Sequence, residues 1–155
     1  VQLSFTSGDH VQLKVKNDTV NLGETVSIRD YVLPGAGEYD VAGVLCEAQV
    51  AGDSLAYFIR LDDLQTTYLP RLASEVTKLD DASNCNILVV DVRSDDKPES
   101  LKPILKALEP SYVALIGAGA TPEFQKALNL TTQEGASHKL TRSGLPLEGT
   151  ILLVS

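Results

Sequence analysis

The sequence has no methionine, no tryptophan, two histidines (His10 and His138) and two cysteines (Cys46 and Cys85) in 155 residues. Without an initiator methionine, the chain is expected to be a processed, trimmed or excised piece. Basic residues are scarce too: 13 Lys and Arg against 21 Asp and Glu give a net charge of −8. Nucleic-acid binding rests on neutralising phosphates with Lys and Arg, and the basic residues here form no block, so no nucleic-acid partner is expected. No apolar run approaches the ~20 residues of a membrane span. Val1 to Asp9 lacks the basic start and long apolar stretch of a signal peptide. No membrane insertion is expected. The two cysteines flank strand-like runs and read as reduced, partly buried thiols of a cytoplasmic protein.

What is present is the composition of a folded protein, 43% apolar and 22% charged. The first half reads as β. Gln2 to Phe5 and Val11 to Val15 alternate apolar and polar residues around a Ser7-Gly8-Asp9 turn, the period of half-buried strands. Asn17-Asp18 turns the chain into Thr19 to Leu22, and Val26 to Leu33 is strand-like again. Pro34-Gly35-Ala36-Gly37 breaks it. Tyr39 to Val50 and Leu55 to Leu61 flank Ala51-Gly52-Asp53 as a hairpin. Short connections between successive strands predict antiparallel pairing.

The second half changes period. Leu69, Leu72, Val76 and Leu79 fall at helical spacing behind Pro70. Ile87 to Val92 is an unbroken apolar run, the mark of a strand covered on both faces. Ser100 is placed to cap a helix with its stripe at Leu101, Ile104, Leu105 and Leu108. Pro103 falls in its first turn and Pro110 ends it. Tyr112 to Ile116 is a second buried strand, Thr121-Pro122 opens a short helix, and Thr150 to Val154 closes the chain. No repeat, low-complexity segment or linker divides residues 1–155, which read as one domain. The expected fold class is α/β: two β-sheets packed face to face with flanking helices.

One segment carries a family resemblance. Gly37-Glu38-Tyr39-Asp40-Val41-Ala42-Gly43-Val44 resembles the Gly-Glu-Tyr-Glu-x-x-Gly-Val stretch of the predicted zinc-dependent hydrolases of the metallo-β-lactamase fold, the branch that includes lactonase-like enzymes. The order of the remaining elements is similar, from Gly8-Asp9-His10 at the start to Leu145-Pro146 near the end. The resemblance implies a shortened metallo-β-lactamase-like sandwich. It also sets Asp62-Asp63 against the family's Gly-Asp turn, whose acid is a metal ligand. The family's His-x-His-x-Asp-His run has no counterpart: the chain between Leu22 and Gly37 is short and holds no His. Its final His position falls within Ile116-Gly117-Ala118-Gly119. A lone Asp63 cannot make up the four or so ligands zinc takes, so no metal and no cofactor are expected.

Other signals are weaker. Gly117 to Thr121 follows a strand and precedes a helix as phosphate-cradling loops do, but it lacks the Lys and spacing of a Walker loop. The pairs Asp62-Asp63, Asp80-Asp81 and Asp95-Asp96 read as solvated turns. Asp91 closes a buried strand, where α/β folds often place active residues. No Gly-x-Ser-x-Gly motif supports a nucleophile, and no electropositive setting marks either Cys as reactive.

The sequence therefore points to a non-catalytic protein-interaction or assembly scaffold, a pseudoenzyme with a protein partner or a second copy covering exposed edges. The alternative is a metal-independent hydrolase or small-ligand binder whose cleft gathers Asp63, Asp91, Gly117, Gly119 and Thr121. A third reading takes the chain as a fragment whose missing ligands come from another chain.

Overall fold

Among the described residues, short strands separated by tight turns make up most of the chain, with two α-helices between the later ones. The computed structural model describes residues 1–146 and 149–153. Strands β1 (Gln2–Ser7), β2 (His10–Val15), β3 (Asp18–Leu22), β4 (Val26–Ile28) and β5 (Tyr31–Val32) form an antiparallel run. Next come β6 (Gly37–Val41), β7 (Val44–Ala51), β8 (Ser54–Leu61) and β9 (Leu64–Leu69), also antiparallel. The parallel part holds β10 (Ile87–Asp91), α1 (Pro98–Leu108), β11 (Tyr112–Ile116) and α2 (Pro122–Ala127). Then follow β12 (Thr131–Glu134), β13 (Ser137–Lys139) and β14 (Thr150–Leu153). They assemble into a six-stranded sheet, ordered β13-β1-β2-β3-β4-β5, and an eight-stranded one, ordered β12-β14-β11-β10-β9-β8-β7-β6.

The expected architecture of two facing sheets is what forms. Leu13, Leu22 and Ile28 of the first sheet meet Ile59, Tyr68 and Val89 of the second in one core. A second core lies on the outer face of the eight-stranded sheet, where Phe58, Leu88 and Val90 pack under Leu101, Ile104 and Phe124. Alternation explains the division: in the buried parallel strands both faces are apolar, and successive residues serve opposite cores. Among the described residues no helix is long and apolar enough to cross a membrane.

Four local expectations need correction. Tyr39 to Val50 is not one strand. Ala42 (φ 52°) and Gly43 (φ 86°) form a tight left-handed turn that folds the segment into the β6–β7 hairpin. The family-like stretch is this hairpin. Likewise Val26 to Leu33 is split by Arg29 (φ 54°) into β4 and β5. The helix expected at Leu69 to Leu79 is absent: Leu69 ends β9, and the chain continues as a 3-10 turn at Ser74–Lys78 and another at Asp80–Asn84. Extended backbone at Leu79 separates them, and only Val76 of the first is fully buried. Finally, α1 begins at Pro98 behind Lys97, without a side-chain cap, so Ser100 lies inside it and Pro103 in its interior. Glu109 in a left-handed conformation closes α1 just before Pro110. Val154 lies outside the described residues.

Candidate functional site at the rim of the sandwich

Strands β9, β10 and β11 run parallel, so their C-terminal ends share one rim of the sandwich. Asp91 ends β10 there beside Ile116 of β11. It stands on the inner side of its strand, and the carboxyl feels Asp9 of the β1–β2 turn. Burial raises its pKa above the usual carboxylate range; the charges of Asp9 and Asp96 add to this, and Arg93 opposes it.

The neighbouring backbone is drawn tight around Asp91. Gly117 (φ 94°) lies so close that a Cβ would overlap Asp91 Oδ1 and the Val92 carbonyl, and one on Gly119 would overlap the Arg93 carbonyl. The Gly117 amide donates to Gly8 O at 2.8 Å and that of Gly119 to Val92 O at 2.8 Å. Ala120 and Thr121 amides donate within the turn itself. These amides are spent on closing the rim, so the loop is built for close packing, unlike a phosphate cradle. Thr121 caps α2, its Oγ1 accepting from the Phe124 amide at 3.2 Å.

The rim also holds residues the sequence did not single out together. Tyr68 is fully buried, and its hydroxyl donates to Gly23 O at 2.7 Å, joining the two sheets. Burial raises its pKa, and the charge of Asp91 raises it further. His10 opens β2 and does not lie in a turn; its Nδ1 hydrogen-bonds Thr6 Oγ1, and its ring lies against Gly23. Two cavities adjoin this rim. One of about 580 Å³ is lined by Arg93, Asp96, Arg71 and Ser74 among others. The other, of about 790 Å³, is lined by Gly8, Gly117, Pro122 and Lys126 among others.

The structure unites Asp91, Gly117, Gly119 and Thr121 but not Asp63. Asp63 sits in the β8–β9 turn at the opposite end of β9, with its carbonyl accepting from Arg142 Nη1 at 2.9 Å. At about 3.3 Å per residue along β9, it lies roughly 20 Å from the rim. Asp63 and Asp91 therefore lie at opposite ends of β9 and share none of the cavities described above. His138 is buried in β13 with its ring edge-on to Phe5.

The donors among the described residues do not fit a zinc ion. Among the described residues, no three His, Cys, Asp or Glu side chains come together to hold one. Cys46 and Cys85 are unpaired and buried, and burial pushes each thiol up to about 12.

Sheet order, the face-to-face core and one-sided helices define a metallo-β-lactamase-like sandwich. A solved structure from Thermotoga maritima, assigned as a Zn-dependent hydrolase of the metallo-β-lactamase superfamily, matches this chain with a TM-score of 0.71. The two are 11% identical over 99% of this chain and 98% of that one, a likeness that carries the fold and no reaction. No family model matches the chain, and no curated protein matches it.

Proposed function

We propose that the protein is a non-catalytic metallo-β-lactamase-like domain that acts as a protein-interaction or assembly scaffold. The observation that carries this reading is apolar surface left open along one side of the sandwich. Tyr31 and Val32 on β5 are 48% and 53% exposed, and Leu45 on β7 is 50% exposed. They flank β6, whose outer side pairs with no strand among the described residues. Exposed apolar residues near an open strand are a mark of association. A cytoplasmic setting belongs to the proposal and is supported by the two free, buried thiols. The chain recovered from its own cells is expected to carry a stoichiometric protein partner, or a second copy, that the Tyr31→Ser/Val32→Ser variant loses. A monomer that recovers nothing dependent on those two residues contradicts the proposal.

A second reading, a metal-independent hydrolase or small-ligand binder, is favoured by Asp91. A partly buried carboxyl at the C-terminal end of a buried strand, with its pKa raised by burial, suits proton transfer. Ester or lactone turnover in chelator, lost in Asp91→Asn, supports it; no turnover across such a panel sinks it.

A further inference from the structure

The edges of the two sheets are not equally protected. Strand β5 is two residues long, β13 three and β12 four, whereas β6 exposes a run of five. Short edge strands discourage strand addition, and longer unpaired ones invite it. The β6–β7 hairpin fixes which groups are free. Val41 and Val44 flank a two-residue turn, so Val41, Tyr39 and Gly37 are the positions bonded to β7. Glu38 and Asp40 alternate with them and turn their backbone N–H and C=O toward the empty side.

The side chains beside that edge have a definite chemistry. Glu38 stands directly opposite Glu47 in the register, a like-charge pair that a sheet ordinarily avoids. Asp81 approaches from the second 3-10 turn and accepts from Gln49 Nε2 at 2.8 Å. The hydrogen bond shared with Asp81, partial burial, and the charges of Asp81 and Glu38 together hold Glu47 above the usual carboxylate range. A hollow of about 270 Å³ lies here, lined by Glu38, Glu47, Asp81, Leu45 and Arg60 among others. Arg60 is the one cation among the described residues of its lining, and no ion pair of Arg60 is found among the described residues. On the opposite face of β6, Tyr39 meets Tyr31 with ring centroids 6.4 Å apart and closes the mouth of the sandwich with apolar surface.

We propose that β6 is a docking edge for an extended peptide segment of a partner protein, with basic and apolar residues alternating along it. Such a segment adds as a ninth strand of the larger sheet. Its basic residues lie over Glu38 and Asp40 on the acidic face, and its apolar residues lie over Tyr39 and Tyr31 on the other. Charge complementarity selects this occupant over a second copy, because antiparallel β6-to-β6 pairing sets Glu38 against the copy's Asp40. The proposal rests on the scaffold reading and names the segment that the scaffold recognises.

The test uses three eight-residue synthetic peptides, of alternating Lys and Val, Glu and Val, and Ser and Val, titrated into the ¹⁵N-labelled chain. The Lys-Val peptide is expected to bind, to shift amide signals of β6 and β7, and to slow exchange of the Glu38 and Asp40 amides. The Glu38→Lys/Asp40→Lys variant should bind it about tenfold more weakly, as two lost cross-strand charge pairs imply, while its remaining spectrum stays unchanged. Equal binding of all three peptides, shifts confined to another surface, or no binding of the Lys-Val peptide overturns the proposal. The scaffold reading is scored separately by the Tyr31→Ser/Val32→Ser recovery experiment. Loss of a partner there with no Lys-Val binding here removes only the docking edge.

Discussion

The two sheets turn very different outer faces to their surroundings. On the six-stranded sheet a single register row runs Ser137, Ser4, Gln12, Asn21, Ser27 across five strands. Three of its four neighbouring pairs are hydrogen-bonded: Ser4 to Ser137 at 3.1 Å, Gln12 to Asn21 at 3.2 Å and Asn21 to Ser27 at 3.2 Å. That row is polar as far as Ser27, and its next partner, Val32 of β5, is an exposed apolar residue. The matching row on the eight-stranded sheet changes character midway. Phe58, Thr67, Leu88, Val113 and Ile151 are buried beneath helices and 3-10 turns, but the next residues outward are Glu47 and Glu38 beside exposed Leu45. The cover stops between Phe58 and Glu47. One face is therefore polar until its last strand and ends in a single exposed valine, and the other ends in an acidic margin, with exposed Leu45, that its own elements leave open.

The largest effect expected is at the covered side of that boundary. Phe58→Ala should cost about 3–5 kcal/mol by denaturant unfolding, because it opens a cavity in the outer core. Leu45→Ala, one strand outward on the same face, should leave stability nearly unchanged. If the two cost the same, the boundary is misplaced. Between the sheets, Thr66 is fully buried and its hydroxyl has no hydrogen-bond partner. Thr66→Val should therefore stabilise the fold by about 1 kcal/mol, read as a raised unfolding midpoint with an unchanged m-value; a loss instead would reveal a partner for that hydroxyl. On the polar face, Asn21→Ala should cost about 1 kcal/mol or less in the same assay, since water replaces its two bonds.

The smallest effect is one of pH. Asp91 and Glu47 both have raised pKa values, so the folded state holds their protons to higher pH than the unfolded chain does. Their contribution is therefore favourable at acid pH and is lost as pH rises from the unfolded carboxylate value, about 4.3 for Glu, through the folded values. The double variant Asp91→Asn/Glu47→Gln should flatten thermal stability across that window. A slope that steepens instead contradicts the assignment.

Much of the fold was legible because its strands alternate cleanly or run apolar. The rest was hidden by polar residues in buried places. Strand β9 was missed because Thr66 and Thr67 interrupt its apolar pattern, yet both are fully buried. Once β9 is missed, Leu69 to Leu79 looks helical and Tyr68 loses its place at the rim. The alternation of Leu64, Thr66 and Tyr68 was the available signal, with Thr read as a residue at ease in strands. Strand β12, Thr-Thr-Gln-Glu, is exposed throughout and offers no period at all. Of the candidate site, Asp91 and the Gly117 turn were readable as the exits of adjacent buried strands. Asp63 was misplaced because a two-acid hairpin turn was set against a family turn on order alone, and order does not say which end of a strand a turn occupies.

Among the described residues of this metallo-β-lactamase-like sandwich no three donors gather to hold zinc, and zinc stoichiometry tests whether the chain binds it. The purified chain is dialysed against zinc, then against buffer, and its metal measured together with its mass in solution. Well under one zinc per chain is expected at every oligomeric state. One tightly held zinc per chain contradicts it, and if that zinc appears only in a dimer, it assigns the missing ligands to a second copy.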